Sequence, residues 1–192
     1  MALNKKKNTV FFIILLVTIV TGFIFTFLQG GDSSDKITET DHLYNVPRDM
    51  TVNESSVFLY FCDRKRPYLV AEERVLSHSE NPVLFAKTII EALIKGSHNG
   101  MMRSIPAGTI LKALYITNEK TAYADFSREI RDGHPGGSQM EYLSVYSIIN
   151  SLALNIPEIE KVKILIEGQE IETLAGHIDV RTSLSANMLL VR

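Results

Sequence analysis

The sequence predicts an α+β domain, in which an antiparallel or mixed β-sheet carries two helices on one face, preceded by one N-terminal transmembrane helix. Three observations lead to this prediction. An uncharged apolar run occupies residues 9–28, two later segments repeat apolar residues every three or four positions, and short runs of strand-forming residues surround them. Spacings of three and four place apolar side chains on one helix face, whereas alternation indicates a strand. A chain of 192 residues has room for one such domain and an anchor.

The apolar run is long enough to cross a membrane. No charged residue lies between Lys7 and Asp32, and about 20 apolar residues in a helix span a hydrocarbon core of about 30 Å. Three lysines precede the run, so the positive-inside rule predicts that residues 1–8 are a cytoplasmic tip and that the rest lies outside. We expect residues 9–28 to be an uncleaved signal anchor. A cleaved signal peptide is the alternative, but such peptides have shorter apolar regions and a small-residue cleavage site.

Residues 29–54 are polar and show no periodicity, which predicts a flexible linker between the anchor and the folded domain. The domain itself is expected over residues 55–192. It opens with an apolar run from Val57 to Cys62, a basic loop, and a second run rich in strand formers that starts at Tyr68. Two such runs joined by a short polar loop predict a β-hairpin.

The first helix has clear boundaries in the sequence. Asn81 is a favoured N-cap residue and Pro82 suits the first helical position. Lys95 and Gly96 are typical of a helix C-terminus, where a cation and a glycine are favoured. The predicted apolar stripe comprises Phe85, Ala86, Ile89, Ala92 and Leu93.

Two strands are predicted after this helix, joined by a turn at residues 118–120. One face of the first strand is expected to hold Ile110, Leu114 and Ile116, and one face of the second to hold Ala122, Ala124 and Phe126.

The second helix is predicted to follow a polar loop at residues 128–137. Ser138 and Glu141 have the spacing of a capping box, which predicts Ser138 as the N-cap and Glu141 at the third helical position. Pro157 ends the apolar periodicity. The predicted stripe comprises Tyr142, Val145, Ile149, Leu152 and Ile156.

Alternation over residues 162–166 predicts a further strand. Gly168 and Gln169 suit a II′-type turn, which would lead into a last strand at residues 170–172. The predicted order is therefore ββ-α-ββ-α-ββ, and helices on one face of the sheet would bury both apolar stripes.

The sequence shows no local catalytic or metal-binding motif. Its five histidines are too far apart for the spacing of a local ligand pair. A single cysteine, Cys62, excludes an intramolecular disulfide, and we expect it to be a small buried residue. The net charge of −2 is unlike that of a duplex nucleic-acid binder. We therefore expect no enzyme, no metal, no cofactor and no nucleic-acid partner.

Several short segments, taken in order, resemble one known family. They include FLYF at 58–61, IPAGT at 105–109, GGS at 136–138 and LAGH at 174–177. The chain resembles the GerMN domain family of sporulation and spore-germination proteins, over about residues 57–184. The resemblance implies a non-enzymatic envelope domain with an αββαβ core similar to ring-building motifs. Unlike the protein after which the family is named, this chain has one such domain and no lipoprotein cysteine motif.

The resemblance also implies where the domain works and which surface it uses. The globular domain would lie outside the cytoplasmic membrane, on a single-pass anchor, and would help to assemble a sporulation-type complex. Its partner would be an envelope protein or a second copy of the chain. The alternative is a ligand-binding module for a cell-wall component or small metabolite, with a polar pocket near Gly136 and His177. The candidate interaction or structural loop residues are Gly136, Gly137, Leu174, Gly176 and His177.

Overall fold

The computed structural model describes residues 53–192, which form an α+β architecture. The predicted cytoplasmic tip, the predicted anchor and nearly all of the predicted linker lie outside these residues. Within residues 53–192, no helix combines the length and the apolar character needed to cross a membrane. The elements in chain order are β1 (Glu54–Cys62), β2 (Leu69–Ser77), α1 (Pro82–Lys95), β3 (Leu111–Ile116), β4 (Thr121–Phe126), α2 (Glu129–Asp132), α3 (Ser138–Ala153), β5 (Lys161–Ile166), β6 (Gln169–Glu170), β7 (Leu184–Ser185) and a 3₁₀ turn (Met188–Leu190).

The larger sheet is mixed. Its strand order is β3-β4-β5-β6, and β7 also pairs with β5. The pairs β3–β4 and β5–β6 are antiparallel, whereas β4 and β5 are parallel because the chain returns through α2 and α3 between them. The αββαβ order expected from the sequence is therefore present from α1 to β5. One face of this sheet joins both long helices in the main apolar core, through Leu114, Ala122, Ala124, Phe126, Val162, Ile164 and Ile166.

The first helix agrees with its prediction at both ends. The Asn81 side chain accepts hydrogen bonds from the backbone N–H groups of Val83 and Leu84, and Pro82 is the first helical residue. Gly96 ends the helix with a φ of 92°, a conformation that favours glycine, and its N–H donates to the Leu93 carbonyl. All five residues of the predicted stripe are buried.

The start of α3 differs from its prediction. Gly137, with a φ of 83°, is the N-cap, and no side chain caps the helix. Ser138 is the first helical residue, so the predicted capping box is wrong. The reason is that the Glu141 carboxylate accepts hydrogen bonds from another segment, residues 175–177, instead of turning back to its own helix end.

The predicted N-terminal hairpin is confirmed, but it forms a separate two-stranded sheet. The free edge of β1 runs along α3. There the Asn155 side chain bonds both the N–H and the carbonyl of Phe58, and Ser151 Oγ accepts from the N–H of Tyr60 at 3.0 Å. Ser147 donates its hydroxyl to the Tyr60 carbonyl. The edge of β1 is therefore occupied by side chains of α3 and of Asn155 rather than by another strand.

Three local expectations are corrected. Ile110 is 63% exposed and lies before β3, where a register shift between Leu111 and Ala113 brings Leu111 to the core. Residues 129–132, predicted as loop, form the short α2. The turn before β6 is centred on Glu167 and Gly168, whose φ values of 53° and 72° fit a I′-type turn rather than the predicted II′ turn.

Candidate functional site

The structure brings the candidate loop segments together at the N-terminal end of α3. Residues 172–176 face Arg131, His134 and Gly136 across an open cleft of about 500 Å³. Gly136 and Gly137 lead into α3 with φ values of 80° and 83°, and Gly176 has a φ of 103°. All three glycines thus adopt a backbone conformation that other residues rarely reach. The two segments are 34 or more residues apart in sequence, and their proximity is a result of the tertiary fold.

A single buried carboxylate holds this arrangement. Glu141 is 0% exposed, although it is ionisable and lies in the first turn of a helix. Its Oε1 accepts from the N–H of Ala175 at 2.7 Å, and its Oε2 accepts from the N–H of His177 at 2.8 Å. The His177 ring contributes Nδ1 at 3.1 Å from Oε2. A buried charge is tolerated in a protein when it is hydrogen-bonded in this way.

The surroundings favour the ionised form of Glu141. Burial by itself raises the pKa of this carboxyl group, but the hydrogen bonds from Ala175, Ile178 and His177 outweigh it and lower the pKa below its ordinary value. The position in the first turn of α3 acts in the same direction, because the positive end of the helix dipole favours an anion. Glu141 therefore carries its charge at neutral pH.

The other candidate residues divide into structural and exposed members. Leu174 is fully buried in the main core, and its carbonyl accepts from Arg131 Nε at 3.2 Å. The N–H of Gly176 donates to Thr173 Oγ1 at 3.0 Å, which closes the turn. The side chain of His177 remains 48% exposed despite its contact with Glu141. The loop thus has a fixed base and a solvent-facing tip.

His134 belongs to this site, although the sequence did not single it out. Its Nδ1 accepts from the N–H of Gly136 at 3.0 Å, so the neutral ring donates from Nε2 to Ser144 Oγ at 3.0 Å. Burial is the largest cause of its lowered pKa, against an opposing effect of the Glu141 charge. His134 is therefore a neutral support that fixes the glycine segment to α3. A histidine two residues before a glycine pair is the only sequence signal that could have indicated it.

The site holds its polar groups in structural hydrogen bonds. Among residues 53–192 there is no group of three or more His, Cys, Asp or Glu side chains that could hold a metal ion. Asp179, close to His177 in sequence, is paired with Arg181 at 2.7 Å. Cys62 lies elsewhere, in a second apolar cluster, and burial raises its thiol pKa to about 12. What the arrangement can do is hold a loop in one conformation at the surface.

Comparisons with known proteins agree with this fold. Residues 58–172 match the family model described as Germane: Sporulation and spore germination. The first GerMN domain of the sporulation protein GerM from Bacillus subtilis is 29% identical, with a TM-score of 0.56, and the match covers 68% of this chain and 97% of that chain. The tandem GerMN domains of the same protein are 25% identical, with a TM-score of 0.54, over 69% of this chain and 46% of that one.

A protein described as a lipoprotein from Clostridium perfringens shares the fold, with 23% identity and a TM-score of 0.51, over 69% of this chain and 87% of that chain. No curated protein matches the chain. The family model spans more than half of the 192 residues. The chain therefore belongs to the Germane family, and it contains a GerMN-like domain.

Proposed function

We propose that this protein is a membrane-anchored, non-enzymatic interaction module whose GerMN-like domain lies outside the cytoplasmic membrane. In this proposal residues 9–28 are a single-pass signal anchor with the N-terminus inside. The αββαβ core, similar to ring-building motifs, supports assembly of an envelope complex of the sporulation type. The family and the fold support this proposal, since the GerMN domains matched here come from a sporulation protein.

The observation that carries the proposal is the use of Glu141. A buried ionised carboxylate is costly, and here all of its hydrogen bonds go to the loop at residues 174–178. The carboxylate is thereby committed to loop geometry and is not free to exchange protons with a substrate. A loop fixed at its base and exposed at His177 has the properties of a recognition surface.

The exposed surface gives further support. Tyr115 and Tyr123 stack on the outer face of the larger sheet, with ring centroids 4.8 Å apart and planes 6° apart, and Tyr115 is 48% exposed. Phe58 and Val75 are also largely exposed, on one face of the hairpin. Exposed aromatic and apolar side chains are typical of surfaces that contact other proteins.

The alternative, a ligand-binding module for a cell-wall component or small metabolite, would use the cleft of about 500 Å³ beside Gly136. Its volume is within the range of small-molecule pockets. The cleft is open to solvent, and His134, one of its polar groups, has both ring nitrogens bonded to the protein. We therefore prefer the interaction module.

Photo-crosslinking in cells tests the interaction. A photoreactive residue at Glu172, which lines the loop cleft, should give a discrete crosslinked species, whereas one at Glu158, beyond the other end of α3, should not. Both positions are exposed. Glu141→Gln should reduce the Glu172 crosslink, because the loop loses its anionic anchor. Equal crosslinking from both positions, or none from either, would contradict the proposed surface.

Membrane topology is a separate test. A reporter enzyme that functions only outside the cytoplasm, fused to the C-terminus, should be active, and the protein should stay in the membrane fraction. Release of a mature form that begins near Gly30 would show a cleaved signal peptide and overturn the anchor.

A further inference from the structure

A second cleft, at the loop end of the β1–β2 hairpin, is lined by three cations and by no acidic residue. Its volume is about 670 Å³, which is within the range of small-molecule sites. The cleft is unrelated to the loop that Glu141 holds. The three cations are Arg64, Lys95 and Arg103, and Met101 and Met102 also line the cleft.

The wall of this cleft is built on a second buried carboxylate, Glu72, which is 2% exposed. The carboxylate accepts from Ser97 Oγ at 2.6 Å, from the N–H of His98 at 3.0 Å and from the N–H of Asn99 at 3.2 Å. Arg74 pairs with Glu72 and so compensates its charge. Glu72 therefore fixes the conformation of the segment after α1. Its negative charge is balanced by Arg74, which does not line the cleft.

Two guanidinium groups are fixed at the cleft by backbone carbonyls rather than by carboxylates. Arg64 Nε donates to the Gly100 carbonyl at 2.6 Å. Arg103 donates to the carbonyls of Ile94 and Lys95, at 2.6 and 2.9 Å, and so caps the C-terminus of α1. Each guanidinium has five N–H donors, so both keep donors that these bonds do not use.

No acidic residue lines the cleft to balance its three cations. Among the ion pairs of residues 53–192, none includes Arg64, Lys95 or Arg103. Arg103 has a structural reason to be where it is, since it covers helix carbonyls. Arg64 bonds the Gly100 carbonyl and Lys95 lies in the last turn of α1, and these two residues add two further charges to the same opening.

We propose that this cleft binds an oxyanion, a phosphate or carboxylate group carried on a small or polymeric ligand. Pre-oriented guanidinium groups suit such groups because their N–H donors match two oxygens at once. Met101 and Met102 add a partly buried apolar wall, so the cleft accommodates more than a bare ion. Arg64, Lys95 and Arg103 are not among the residues that line the cleft beside the Glu141 loop.

Methyl NMR of the full chain in detergent tests the proposal. The chain has six methionines, and ¹³C-methyl labelling reports on each. Titration with inorganic phosphate, and separately with acetate, should shift the Met101 and Met102 signals saturably and leave that of Met188 in place. Chloride at the same ionic strength is the control. A response to chloride equal to that to phosphate, or a shift that does not saturate, would overturn the site.

Two residues of the same basic loop provide matched variants. Arg64→Ala should weaken phosphate binding by about tenfold or more, the scale of one charge-assisted hydrogen bond. Arg66→Ala should change it less than about twofold, because Arg66 does not line the cleft and instead contacts Tyr68. Equal weakening by both variants would show general surface attraction and refute the site.

A further variant separates binding from loop structure, since Arg64 also bonds Gly100. Lys95→Ala removes a lining charge without removing a hydrogen bond of the framework. We expect it to weaken phosphate binding about threefold, with the methyl spectrum of the free protein unchanged outside the cleft. No weakening in Lys95→Ala together with a rearranged spectrum in Arg64→Ala would contradict the proposal.

Discussion

The two long helices, α1 and α3, share one apolar core but differ on their other faces. α1 has an ordinary exposed side, on which Leu84 is 52% exposed and Glu91 and Lys95 face solvent. α3 is buried around most of its circumference, and its buried residues include Glu141, Ser144, Ser147, Asn150 and Ser151. A helix with polar residues on one side is therefore not necessarily a surface helix.

The reason for the difference is what lies next to each helix. The polar side of α3 faces the edge of β1, where Ser147 and Ser151 bond the strand backbone, and Asn155, just beyond the end of the helix, bonds it as well. Asn150 makes a pair of bonds with the backbone of Asn187. Buried polar groups need partners, and an open strand edge supplies them in a row. The same contact protects the strand edge from pairing with another chain.

The largest expected effect is in the shared core. Ile149 of α3 is 0% exposed, and Ile149→Ala should lower the free energy of unfolding by about 2–5 kcal/mol, as core truncations of this size do. Leu84→Ala on the exposed side of α1 is the control and should cost less than about 1 kcal/mol. Urea denaturation measures both, and similar losses would show that α1 is as enclosed as α3.

The second effect concerns Glu72 of β2, the buried carboxylate that holds the segment after α1. For Glu72, burial raises the pKa, but the bonds from Ser97, His98, Arg74 and Asn99 outweigh it and lower the pKa from 4.5 to about 2. A carboxyl group whose pKa is lower in the folded than in the unfolded state stabilises the fold. This stabilisation is complete at pH values above the pKa of the unfolded state and is lost as the pH falls through the pKa of the folded state. The contribution, about 3 kcal/mol at 1.36 kcal/mol per pKa unit, should disappear between pH about 4.5 and 2.

Unfolding of the wild type and of Glu72→Gln at pH 6 and at pH 2.5 measures this contribution. The variant should be less stable at pH 6, and the difference between the two proteins should narrow at pH 2.5. A difference independent of pH would mean that the charge of Glu72 does not hold the loop after α1.

The third effect tests the buried polar side of α3. Asn150→Ala leaves the N–H and carbonyl of Asn187 without their partner, and should cost about 1–3 kcal/mol, the range for orphaned buried polar groups. Thr88→Ala in α1 is the matched control, because its hydroxyl bonds only the Leu84 carbonyl of its own helix. The melting temperature should fall more for Asn150→Ala than for Thr88→Ala. Equal falls would mean that the buried polar side of α3 contributes no more to stability than the exposed side of α1.

The smallest effect concerns the helix starts. Asn81 caps α1 with its side chain, so Asn81→Ala should cost about 1 kcal/mol. Ser138 is inside α3 and makes no cap bond, so Ser138→Ala should change stability by less than about 0.5 kcal/mol. If Ser138→Ala lowered the free energy of unfolding by as much as Asn81→Ala, Ser138 would cap α3 as the sequence alone predicts.

Most elements of the domain could be predicted because their causes are local. The hairpin follows from two strand-forming runs around a polar loop, and α1 follows from Asn81, Pro82 and Gly96 at its ends. The family resemblance was also carried by short segments and is confirmed by the match over residues 58–172. These features depend on residues close together in sequence, where propensity and periodicity act.

The tertiary structure alone decided the roles of Glu141, His134 and the polar side of α3. Ser138 and Glu141 have the spacing of a capping box, but the backbone of residues 175–177 offers Glu141 two N–H donors, where its own helix end would offer one. Likewise, Ser147 and Ser151 have the pattern of a solvated face until the edge of β1 lies against them. A hydrogen bond depends on which partner is within about 3 Å, and for residues more than 30 positions apart only the folded chain determines that distance.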